Sequence, residues 1–154
     1  FAQLLSYYRI PLYNLTPNSI LEAALFVKLC EVFLGVEPHF NLWCYFYQLV
    51  PGSGVGAQKV VGGCQFVLRE DRRNQYINLD LQTQGVLWKS QWFYVQDPYE
   101  RLPEDVDIAP APSSRWLDTP MEFEMDQVRD LLGRLAEKDL DGVTVALSFL
   151  GMRF

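Results

Sequence analysis

Residues 16–49, TPNSILEAALFVKLCEVFLGVEPHFNLWCYFYQL, are so apolar that any fold of this chain has to enclose them. From Ile20 to Leu34 only Glu22, Lys28 and Glu31 carry charge. At 100° per residue Lys28 and Glu31 share one side and Glu22 lies well away from them, so a helix here is covered on most sides. Thr16 is suited to cap its start, because its hydroxyl accepts from an early helical N–H. Pro17 follows at the first position, where a missing N–H costs nothing. Gly35 supplies the left-handed residue that ends a helix. Pro38 opens a second one, expected over 39–49, with Phe40, Trp43, Phe46 and Tyr47 at helical spacing and Pro51 beyond its end.

The remainder reads as shorter elements around this pair. Phe1, Leu4, Leu5 and Tyr8 repeat with helical period. Pro11 breaks that helix, and 10–15 is an extended link. PGSGVG, 51–56, is a loop. Strands are expected at 59–69, 76–81 and 91–96, joined by a polar turn at 70–74, with Gly62 and Gly63 marking a bulge or a close approach of backbones. Val128, Leu131, Leu132 and Leu135 define an amphipathic helix from Glu124 or Met125 to Lys138, and a short helix follows at 142–150. The fold class is α+β: several helices around one buried central helix, packed on a small antiparallel sheet of about three strands. The expected organisation is 1–96 as helical core plus strands, 97–120 as an acidic, proline-rich loop or linker, and 121–154 as a helix pair on the same domain.

The segment LTPNSILEAALFVKLCEVFLGVEPHFNLW, followed by glycine-containing strands and by Trp92-Phe93-Tyr94-Val95 with Asp97, resembles the plant gypsy-type transposon domain. The resemblance extends over 1–97 and continues weakly through 128–153. It implies descent from the non-enzymatic, gag-like end of a retroelement. Members often carry a basic run before the WFY motif; here 85–90 reads GVLWKS, with Lys89 the single cation.

Length and composition set outer limits. A chain of 154 residues makes one domain and buries about two thirds of its unfolded surface. With 49% apolar residues it is globular and not disordered. No apolar run is long enough to span a membrane. Residues 1–10 lack the basic start and small-residue cleavage site of a secretory signal, and the missing initiator Met reads as a fragment. Cys30, Cys44 and Cys64 are odd in number and set among apolar neighbours, as free thiols of an intracellular protein would be. The net charge is −6, and 97–126 holds nine acidic and two basic residues. Such a balance excludes a general nucleic-acid binder.

Catalytic constellations do not assemble. A zinc knuckle needs a close Cys-x2-Cys pair, which is missing, and Cys30 and Cys64 fall on a helix and a strand away from His39 and Cys44. Asp118-Thr119 is followed by Pro120 where an aspartic protease needs Gly. Asp105 and Asp141 have an integrase-like interval, yet Asp105 sits in the proline-rich tract and is no rigid metal ligand. GSGVGA, 52–57, runs helix, loop, strand where a dinucleotide site runs strand, loop, helix. His39 is the sole histidine and reads as a helix-start residue. No catalytic, cofactor or metal residues are therefore expected.

What remains is a candidate interaction surface: Arg69, Arg72, Arg73, Trp88, Lys89, Trp92 and Tyr94. Aromatic rings with arginine stack single-stranded nucleic acid. They equally concentrate binding energy at protein interfaces, and alternate residues such as Trp92 and Tyr94 can simply cover a sheet face. The expectation is a non-enzymatic structural or self-association module with a protein partner or a second copy. Weak nucleic-acid binding through the aromatic and arginine residues is the alternative, and no membrane contact is expected.

Overall fold

A computed structural model describes residues 1–52, 62–77, 110–138, 140 and 145. Helix α1 spans Ala2–Tyr8 and stops at Arg9, whose φ of 53° is left-handed. Helix α2 spans Pro17–Lys28. Thr16 Oγ1 caps it by accepting from Ser19 N, with Pro17 inside the first turn. The helix widens into a π-helical stretch at Leu29–Leu34, and Gly35, at φ 64°, ends it. Val36 N then donates to Cys30 O at 2.9 Å. Leu25, Phe26, Leu29, Cys30 and Leu34 are buried. Full burial of a Leu or Phe side chain contributes about 1.5–3 kcal/mol, so this segment anchors the core.

The second helix is shorter than expected. Helix α3 ends at Phe46, and Tyr47–Pro51 is strand β1. Helical spacing of the aromatics hid a switch in burial period: Tyr47 and Leu49 face inward while Gln48 and Val50 are half-exposed. Strand β2, Cys64–Leu68, pairs with β1 antiparallel, from Tyr47 opposite Leu68 to Pro51 opposite Cys64. These hydrogen bonds, made with residues 13 to 21 positions along the chain, overrule the local helical signal. Two antiparallel strands are seen among the described residues. Of the expected second strand only Tyr76 and Ile77 are described, both buried, and the third lies outside the described residues.

Glycine lets the hairpin close. A Cβ at Gly52 would stand 2.7 Å from Gly62 O, and Gly62 itself has φ 63°. This is the close backbone approach that the Gly62–Gly63 pair suggested. The hairpin is tied to α2 at both ends of one turn: Thr16 N donates to Cys64 O, and Phe66 N donates to the buried Ser19 Oγ at 2.8 Å. The polar turn is a 3₁₀ helix, Glu70–Gln75.

Helix α4, Met125–Glu137, buries Val128 and Leu131, with Leu132 and Leu135 partly covered. Its basic residues close the end of the π-helical stretch. Arg134 donates to Leu34 O at 3.0 Å and Lys138 donates to Phe33 O. Cations there satisfy orphan carbonyls and oppose the negative end of the helix dipole. Of the expected last helix, Val145 is described; it is helical and buried.

Candidate functional site

The core facing the hairpin is a continuous run of aromatic rings. Tyr7 and Tyr8 from α1 meet Phe40, and Tyr8 also meets Phe66. Trp43 lies edge-on to Phe26 and Phe66 and stacks on Tyr47 at 4.2 Å. Phe46 and Tyr47 both contact Tyr76. Such pairs add about 0.5–1.5 kcal/mol each beyond burial. They also explain why Trp43, Phe46 and Tyr47 are core and not surface.

The arginines of the expected interaction surface divide in this setting. Arg69 is turned inward and is 9% exposed. Its guanidinium donates to Cys44 O at 3.0 Å, Leu117 O at 3.1 Å and Asp118 O at 2.6 Å. A surface role for Arg69 is thereby corrected: its five fixed donors suit a cluster of backbone carbonyls, and burial follows from satisfying them. Arg72 lies over the Tyr45 ring at 4.5 Å and pairs with Asp71 at 3.4 Å. Arg73 pairs with Glu70 at 3.1 Å and is well exposed. Trp88, Lys89, Trp92 and Tyr94 lie outside the described residues.

The end of the acidic tract folds back on these groups. Ser114–Leu117 is a 3₁₀ turn with Trp116 buried. The Tyr7 hydroxyl donates to the Asp118 carboxylate, and Arg115 donates to Tyr7 O at 3.3 Å. Burial and then the Asp118 bond push the Tyr7 phenol up to about 12. Asp118 is thus a fixed acceptor, and its side chain serves packing. Neither Trp116 nor this strap is signalled in the sequence, where prolines and charge dominate.

The thiols and the histidine are quiet. Burial pushes Cys30 and Cys64 up to about 12 and Cys44 up to about 11, so all three stay protonated at neutral pH and are poor nucleophiles. All are free and buried. His39 Nδ1 accepts from Asn41 N at 3.1 Å, which makes it the cap of α3. Among the described residues no three His, Cys, Asp or Glu side chains come together as metal ligands.

Apolar surface is more distinctive. Ile20 and Val27, seven apart on one face of α2, are 38% and 39% exposed, and Val32 beyond them is 57% exposed. Phe1, Leu4, Phe26, Val27, Phe40 and Trp43 line a groove of about 100 Å³ between α1, α2 and the start of α3. A wider cleft of about 370 Å³ lies between the 3₁₀ turn and α4, lined by Asn74–Ile77 and by Leu132, Leu135, Ala136 and Leu140. No described helix is long and apolar enough to cross a membrane.

Residues 1–51 match the model of a family described as "Putative gypsy type transposon". The match spans α1, α2 and α3 and ends with β1, and takes in 51 of the 154 residues. No curated protein and no solved structure matches the chain.

Proposed function

We propose that this chain, whose first 51 residues carry a gypsy-type transposon-related domain, is a non-enzymatic structural or self-association module of gag-like, plant retroelement origin. The observation that supports this reading is the apolar face of Ile20, Val27 and Val32 beside the groove at Phe1 and Phe40. Exposed apolar surface next to a groove is the ordinary mark of a protein contact. The same face lies within the stretch that matches the family. A catalytic role has little to draw on, since the thiols are held protonated and His39 is used as a helix cap.

The nucleic-acid alternative draws on the arginines, and their environment argues against it. Arg69 spends its donors on carbonyls, and Arg72 and Arg73 each have an acidic neighbour. Phosphate contact would have to displace those partners in a protein of net charge −6. A protein partner within an intracellular setting is the reading we adopt.

The test is a salt titration of two properties on one sample. Light scattering is expected to report association that persists at high salt, because burial is not screened as surface charge is. RNA binding is expected at about 10⁻⁴ M or weaker at physiological salt. Submicromolar RNA binding that collapses with salt, in a protein that stays monomeric and loses affinity with Arg72→Ala and Arg73→Ala, would replace assembly with nucleic-acid binding.

A further inference from the structure

Glu22 sits three residues beyond Ser19 on α2, on the side that meets the hairpin. Its Oε2 atom is buried and makes no hydrogen bond. The groups its charge reaches are phenols. Its charge acts on Tyr47 of β1 and on Tyr76 after the 3₁₀ turn, and Cys30 of the π-helical stretch acts on Tyr76 in turn. Tyr76 is buried, and its hydroxyl interacts with that of Tyr47. Burial holds both phenols neutral, above their ordinary value. Burial likewise pushes the Glu22 carboxyl up, from 4.5 to about 7, and no cation of the described residues opposes that rise.

We propose that Glu22 is a proton-operated latch between α2 and the hairpin. Protonated, it is a neutral group among neutral groups, and α2 lies flat on β1 and β2. Ionised, it is a buried charge with no counterion among the described residues, and the seam held by Ser19 and Phe66 loosens. The desolvation of an unpaired charge drives the change. Nothing in this device depends on whether the molecule self-associates.

The linkage has a definite sign. The folded state binds the proton more tightly than the unfolded chain, so the stabilisation is complete below about pH 4.5 and is lost as pH rises through about 7. Between pH 5 and pH 8 the folded-to-unfolded ratio should fall by tens of fold from this group alone, roughly 70-fold. The experiment compares wild type with Glu22→Gln by urea unfolding at pH 5, 6, 7 and 8. The two should lie closest at pH 5 and diverge with rising pH, with Gln the more stable. Parallel curves would overturn the latch. A second measurement needs no variant: the Glu22 side-chain carboxyl ¹³C resonance should titrate with a midpoint near 7, and a midpoint near 4.5 would overturn it equally. Loosening of the seam is read by hydrogen exchange at Phe66 N–H, corrected for the intrinsic rate. Protection there should drop from pH 5 to pH 8 in wild type and hold in Glu22→Gln, and equal protection in both proteins would refute the conformational step.

Discussion

Arg69 spans the hairpin, α3 and the strap at Leu117–Asp118, so its removal should be felt in all three. Arg69→Ala deletes three charge-assisted hydrogen bonds to backbone carbonyls, the Cys44 bond buried and the Leu117 and Asp118 bonds partly so. A cost of about 2–4 kcal/mol is expected in denaturant unfolding. Lysine should not rescue it, because one ammonium cannot reach three carbonyls in a fixed fork. Arg73→Ala, four residues away in sequence and paired only at the surface, should change stability by less than about 0.5 kcal/mol. The contrast separates a buried clamp from a solvated ion pair within one short stretch. Glu22 makes a parallel point. A lone carboxylate among apolar residues of α2 could be read as a polar flank, and burial beside Tyr47 and Tyr76 gives it a different character.

Helix α2 and its π-helical continuation bury Leu25 at 1% exposure and Leu29 at 0%, although α3, from Leu42 to Phe46, is the more densely buried element. Leu25→Ala should destabilise the protein by about 2–5 kcal/mol, the sum of lost burial and a residual cavity. Calorimetric or denaturant unfolding decides this; a loss below about 0.5 kcal/mol would place α2 outside the core. The widening at Leu29 is held from outside the helix, by Arg134 and Lys138 of α4 on the carbonyls of Leu34 and Phe33. Its counterpart is β1. Residues 47–51 have aromatic and β-branched character that fits a pleated surface, yet they follow α3 directly. The partner strand and the close approach of Gly52 to Gly63 make the extended form the lower in energy.

Cys30, Cys44 and Cys64 sit on the π-helical stretch, α3 and β2, three separate elements of one core. Their reactivity is therefore a reporter of the fold as a unit. At pH 8 the folded protein should react with a thiol reagent at well under one site per chain on the time scale in which urea-unfolded protein reacts at three. Prompt labelling of one cysteine in the folded protein would show that its element opens on its own. The strap at 113–118 unites distant parts in a similar way, since Trp116 is buried, Asp118 receives Tyr7, and its carbonyls receive Arg69.

Residues 16–34 dictated their own state. Thr16, Pro17, the nearly unbroken apolar run and Gly35 are local signals that agree, and α2 begins and the helical segment ends where they say. The inward face of α4 and the helix-start position of His39 were legible for the same reason: periodicity and helix-start signals act within a few residues. The α+β class was also legible. What depended on contacts across the chain was not. Whether Tyr47 continues a helix or opens a strand depends on Leu68 opposite it. Whether Arg69 faces solvent depends on the carbonyls of Cys44, Leu117 and Asp118. Whether Trp116 belongs to a loop or to the core depends on the hairpin beneath it. Local preference is worth a few tenths of a kcal/mol to about 1 kcal/mol per residue, and a buried hydrogen bond or aromatic contact from a distant element is worth as much or more. Where the two disagreed, the distant partner prevailed.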